Sequence, residues 1–151
     1  MSDIAFLQPG PLLAGLLEIQ ELEARLVSFE ELERVADAAI AHAEGLAGCV
    51  VWPIGAAAER AAAAVTLRSR GRVEVGTWNM RVAGQRFLLL TLAAVSPLEI
   101  ELAAEQLRRR GATEVHACGV RVARGEEARG VDSYRTLALR SSGELRAVGA
   151  A

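Results

Sequence analysis

The stretch Arg86–Val122, RFLLLTLAAVSPLEIELAAEQLRRRGATEVHACGVRV, constrains the fold more tightly than any other part of the chain. Phe87–Leu90 is apolar without a polar face, the pattern of a strand covered on both sides. Pro97–Arg110 has helical spacing, with Pro97 suited to a first turn and Gly111-Ala112 to a stop. Glu114–Val122 then reads as a second strand. Strand, helix and strand in this length make a βαβ unit, whose strands are parallel and whose crossover is right-handed. Ligands of such units sit beyond the carboxyl end of the first strand, here expected at the turn Thr91–Leu98. That turn holds no carboxylate, His, Cys or Gly.

The flanking text fits the same architecture. Ser28 and Glu31 form a capping box, with Val27 and Leu32 as its hydrophobic staple. Phe29, Leu32, Val35, Ala36, Ala39, Ile40, Ala43 and Leu46 then recur at helical spacing and predict a helix over 28–46. Cys49–Trp52 reads as a short buried strand, Pro53-Ile54-Gly55 as its turn, and Ala56–Arg70 as an alanine-rich helix able to lie close to a sheet. Val73–Thr77 alternates as a strand does, and Asn79–Gln85 is a brief polar connection. Ala123–Asp132 is a charged loop, and Tyr134–Arg140 with Glu144–Val148 around Ser141-Ser142-Gly143 reads as a hairpin. Residues 19–27 suit helix or strand equally. The expectation is an α/β domain with a mostly parallel sheet flanked by helices. It is one domain over 1–151, with a core at about 29–122, an N-terminal arm at 1–27 and a C-terminal hairpin at about 133–149.

Composition narrows the chemistry. The chain is 52% hydrophobic but only 4% aromatic, so its core must be Ala, Leu and Val. There is no lysine, which excludes any mechanism that needs a lysine amine. A formal charge of −2 argues against nucleic-acid affinity, which needs clustered basic residues to neutralise phosphates. Cys49 and Cys118 lack metal-ligand spacing and read as buried reduced thiols. No apolar run approaches the ~18 residues of a membrane span, and the Met-Ser-Asp start lacks a basic n-region. A cytoplasmic protein is expected, with no metal, no cofactor, no nucleic acid and no membrane.

The order of elements, with two local texts, resembles the type I phosphoribosyltransferases, most nearly the orotate phosphoribosyltransferases. Setting Gly111-Ala112 on the Gly-Ala that ends the family's helix aligns the preceding segment without a gap. The family's two adjacent aspartates then fall on Thr91 and Leu92, and its phosphate loop on Val95, Ser96, Pro97 and Leu98. Cys49–Val65 likewise looks like the family's first core strand, pyrophosphate loop and helix, with the loop at Pro53–Ala57. The resemblance covers roughly residues 29–122 and implies a phosphoribosyltransferase-like fold, commonly dimeric. It implies ligand contacts at Gly55, Ala56, Ala57, Thr91 and Ser96.

The signature residues themselves differ. The family's carboxylates hold the ribose hydroxyls of phosphoribosyl pyrophosphate and organise its magnesium, which needs hard oxygen donors. Thr91 offers one neutral hydroxyl and Leu92 none. Pro97 removes a backbone donor from the phosphate loop, and Ser96 suits an N-cap as well as a phosphate. The family closes a lid between its second and third core strands, often with a catalytic lysine. Only residues 78–86 separate Thr77 from Phe87, so no long lid fits. With cradle, carboxylates and lid all impaired, the expectation is a non-catalytic binding, regulatory or scaffold protein, with no catalytic residue, that has lost phosphoribosyl pyrophosphate. The rival is a divergent phosphoribosyltransferase or a repurposed enzyme of nucleotide metabolism acting on an orotate-like or nucleobase substrate.

Other residues have simpler readings. Trp52 and Pro53 have two readings, an indole that lines a pocket or packing on helix 56–70, the second favoured; Glu59 and Arg60 are expected to form that helix's solvated first turn. His42 and His116 have no ligand partner at metal spacing and read as structural or surface residues. Arg108-Arg109-Arg110 suits a helix C-terminus. Trp78, Asn79 and Arg81 stand at the shortened lid, available to a small-molecule ligand or a neighbouring subunit. A homodimer or a pairing with a related subunit is expected, with the apolar stretch Ile4–Leu17 as its candidate interface.

Overall fold

Phe87, Leu88, Leu89 and Leu90 have no exposed surface, because helices cover both faces of the strand that carries them. The computed structural model describes residues 29–94, 97–122, 129–139 and 145–148. In chain order these form α1 (Phe29–Gly45), β1 (Val50–Ile54), α2 (Ala56–Ser69), β2 (Arg86–Ala94), α3 (Leu98–Arg109), β3 (Glu114–Val122), β4 (Ser133–Leu139) and β5 (Leu145–Val148). The strands make one sheet in the order β1-β2-β3-β4-β5. β1 to β4 run parallel, and β5 returns antiparallel to β4. This is the α/β fold that the alternation of elements predicts: a four-strand parallel sheet with helices on both sides and a terminal hairpin.

The winding is double. Val75 bridges Val51 in parallel on the side of β1 away from β2. The Val51 N–H donates to the Glu74 carbonyl at 2.9 Å, and the Gly76 N–H donates to the Val51 carbonyl at 2.8 Å. Thus α2 carries the chain outward from β1 to this short edge segment, and residues 78–85 carry it back past β1 to β2. Right-handed crossovers that travel in opposite directions along a sheet lie on opposite faces. The packing follows that rule. On one face α1 and α2 place Val35, Ala39, Ala61 and Val65 over Val51, Leu88, Leu90 and Leu137. On the other, Val82 and the α3 residues Ile100, Ala104 and Leu107 cover Val50, Phe87, Leu89 and Val115. Successive β2 side chains alternate between two apolar layers, and each fully buried Leu contributes about 1.5–3 kcal/mol relative to exposure.

Three boundaries differ from the sequence expectation. β2 does not end at Leu90: it runs to Ala94, with Thr91 paired to Ile54 and Gly119, and Ala94 to Val122. β3 extends equally far and supplies the ladder partners, so the proposed turn Thr91–Leu98 is strand over its first half. Pro53 and Ile54 belong to β1 and not to a turn. Pro53 is tolerated because its missing N–H faces the same side as that of Val51, toward the outer edge, where the ladder stops. Val73–Thr77 shrinks from a strand to the single bridge at Val75. At α3, Pro97 already has helical dihedrals (φ −60°, ψ −19°) and its carbonyl accepts the Glu101 N–H at 3.0 Å, as suits proline in a first turn. Ser28, Val95, Ser96, the loop 123–128, Ser141-Ser142-Gly143 and Ile4–Leu17 lie outside the described residues.

Candidate functional site

In a doubly wound sheet the ligand crevice opens between the two neighbouring strands whose connections leave on opposite faces. Here those strands are β1 and β2. Gly55 ends β1 at φ 90° and ψ 163°, a conformation that only glycine adopts readily. No side chain caps α2, and the Gly55 carbonyl accepts the Glu59 N–H at 3.0 Å. Ala56 is exposed and Ala57 buried. Any anion held at this point would meet backbone N–H groups of one helix end and no cationic side chain from Gly55, Ala56 or Ala57.

Thr91 stands level with Ile54, one residue before Gly55, so the fold does bring the β1–α2 junction at Gly55–Ala57 close to Thr91 on the neighbouring strand. Thr91 is nevertheless only 1% exposed, and its Oγ1 has no hydrogen-bond partner. Gly119 explains the enclosure: a Cβ there would lie 2.8 Å from Thr91 Cγ2 and 2.9 Å from the Thr91 carbonyl oxygen. β3 therefore closes over Thr91 where any other residue would hold it away. Leu92 is also 1% exposed and belongs to the core under α1 and α2. Ser96, the remaining candidate, is outside the described residues.

The connection between Thr77 and β2 is tied down. The Arg110 guanidinium donates to the Trp78 carbonyl at 3.1 Å and the Met80 carbonyl at 2.8 Å. Its Cζ also lies 5.8 Å from the centre of the Trp52 ring, within cation–π range. The Gly84 N–H donates to the Gly111 carbonyl at 2.9 Å, and the Thr113 N–H to the Gln85 carbonyl at 2.9 Å. Val82 is buried with α3. These residues are used in crossing the sheet, so what the sequence shows as a short polar connection serves as a fixed crossover. The other two arginines of the run are engaged as well: Arg108 with the Gly130 carbonyl and Asp132, Arg109 with Glu105.

Trp52 packs in the layer under α3 and lines a groove beside α2, so the pocket-lining reading fits it better than packing on α2 alone. Its ring packs edge-on against Phe87, centroids 5.8 Å apart, in the layer beneath α3. The indole also walls a groove of about 460 Å³ between α2 and the edge segment, with Pro53, Glu59, Thr66, Val75 and Trp78 among its lining. Only the tertiary structure brings the two tryptophans to one groove.

A polar chain that sequence spacing does not reveal crosses the amino ends of β3 and β4. His116 Nδ1 is 2.7 Å from Ser133 Oγ, and His116 Nε2 is 3.0 Å from Glu114 Oε2. Glu114 also pairs with Arg86 at 3.4 Å. His116 and Ser133 are register partners, so this chain laces β2, β3 and β4 together. Nearby, burial pulls the His42 imidazole down to about 4, aided by the positive fields of Arg135 and His116. Burial likewise pushes the Cys118 thiol up to about 12 and raises Cys49. Neither cysteine is a ready thiolate nucleophile; both are free and buried, as expected from sequence. Among the described residues no group of His, Cys, Asp and Glu is placed to hold a metal ion, and no helix is long and apolar enough to cross a membrane.

No protein-family model matches the chain, and no curated protein matches it.

Proposed function

We propose that the chain is a non-catalytic binding, regulatory or scaffold domain on a phosphoribosyltransferase-like core, one that has lost phosphoribosyl pyrophosphate. A doubly wound order is common to many folds and functions; what supports the family reading is the gap-free run from the strand at Phe87 to Gly111-Ala112. The observation that carries the loss of function is the burial of Thr91 and Leu92, each 1% exposed. They stand where the resemblance puts the paired carboxylates. A magnesium-bound sugar phosphate needs oxygen donors that reach the crevice, and neither side chain supplies one. The tethered 78–85 connection supports the same reading, since water exclusion by a closing loop is part of such chemistry.

Calorimetric titration of the chain with phosphoribosyl pyrophosphate and magnesium tests the proposal. No saturable heat is expected. Magnesium-dependent binding in the micromolar range would overturn it. A thermal-shift screen with nucleobases, nucleotides and phosphosugars addresses the small-molecule ligand that such a domain would bind instead.

A further inference from the structure

The groove beside α2 presents a negative charge with no partner. It runs between α2 and the edge segment, on the far side of β1 from β2. Its volume of about 460 Å³ is within the range of small-molecule sites. Glu59, Ala62, Ala63 and Thr66 recur at helical spacing and form the α2 wall. Glu59 is the one charged residue of the lining. Its side chain is exposed and, among the described residues, enters no ion pair.

The hydroxyls of the lining add to the same polarity. Thr66 Oγ1 donates to the Ala62 carbonyl at 3.4 Å, and Thr77 Oγ1 donates to Asn79 Oδ1 at 2.9 Å. Each has spent its proton, so both face a ligand as acceptors. The two indole N–H groups are the other polar side-chain atoms of the lining, and they are neutral. Glu59 alone therefore sets the sign of the charge that the groove takes.

The rest of the wall is apolar and held in place. The Trp52 ring lies against Gly76, where a Cβ would stand 2.5 Å from Trp52 Cε3, and it packs edge-on against Phe87. The Arg110 guanidinium beside that ring is turned to the Trp78 and Met80 carbonyls and is not part of the lining. Trp78 is 83% exposed, which leaves its indole open to a ligand.

We propose that this groove binds a small organic ammonium with an aromatic or alkyl body. The ammonium N–H groups donate to the Glu59 carboxylate, and the body lies on Ala62, Ala63 and Val75 beside the two indoles. Indole rings attract a cation more than a neutral group, and the unpaired carboxylate repels an anion. The space exists because Ala62 and Ala63 are small. The groove is separate from the crevice between β1 and β2, so the inference stands whether or not the phosphoribosyltransferase reading does.

The chain has two tryptophans and both line the groove, so indole fluorescence reads its occupancy directly. The probes are benzylammonium, benzyl alcohol and benzoate, which put a positive, a neutral and a negative group on the same ring. Titrated at neutral pH and constant ionic strength, benzylammonium is expected to give a saturable change. Benzyl alcohol should bind about tenfold more weakly, and benzoate should give no saturable change. Glu59→Gln should weaken benzylammonium by about tenfold, and Ala63→Leu, which fills the groove, should abolish its effect. Both substitutions are at exposed positions and should leave the far-ultraviolet circular dichroism spectrum unchanged. Absence of a saturable response to benzylammonium, equal binding of benzyl alcohol or benzoate, or an unchanged midpoint in either folded variant would overturn the proposal.

Discussion

Acid should weaken this protein through His42 before most of its carboxylates protonate. The side chain is on the buried face of α1, 7% exposed, and its Nε2 has no hydrogen-bond partner. Burial pulls it from the ordinary 6.5 to about 4, and the positive charges of Arg135 and His116 act in the same direction. A histidine whose folded value lies below its unfolded one favours folding only while neutral. Its stability is therefore fully present above about pH 6.5 and is lost progressively as the pH falls toward 4. Linkage between those two values gives a loss of about 2 kcal/mol by pH 5 and about 3 kcal/mol once both states are protonated. For a chain of this size that first loss lowers Tm by roughly 4–8 °C.

The assay is urea unfolding of wild type and His42→Leu at pH 7.5, 6 and 5. Other groups add their own acid sensitivity, among them Asp132, whose carboxyl is held below the usual range chiefly by the Val115 N–H and also by Arg108. The difference between the two proteins cancels those contributions. Wild type should lose about 2 kcal/mol more than the variant between pH 7.5 and 5. Parallel loss in both proteins would show that His42 titrates normally and that its burial has no electrostatic consequence.

Two substitutions test how β2 and β3 enclose Thr91. Thr91→Val keeps the shape and removes a buried hydroxyl without a partner, so stability should rise by about 1 kcal/mol in urea unfolding; a fall would mean that the hydroxyl is bonded after all. Gly119→Ala drives a Cβ against the Thr91 carbonyl at 2.9 Å and its Cγ2 at 2.8 Å, and should cost about 1–3 kcal/mol. Adding Thr91→Ser should recover only part of that cost, because the carbonyl clash stays; full recovery would place the conflict in the side chain alone.

The layered α/β architecture was legible because its causes are local. The unbroken apolar run Phe87–Leu90 can be satisfied only between two covered faces, and the spacing of Ile100, Ala104 and Leu107 can bury only one side of a helix. The absence of lysine, and of carboxylates at Thr91–Leu98, could likewise be read directly from the letters. Strand ends were not legible, since a ladder continues as long as its neighbour offers partners. β3, kept close by Gly119, carries β2 through Thr91 to Ala94. Nor did Val73–Thr77 announce that it would keep a single bridge, from Val75 to Val51. The crossover at 78–85 looked like a polar loop, yet Arg110, thirty or so positions away, holds its carbonyls. The groove between Trp52 and Trp78 and the chain Glu114–His116–Ser133 have the same origin. Periodicity along the chain determines which faces an element must bury. Which distant groups meet, and which donors and acceptors remain open, is decided only when the whole sheet is wound.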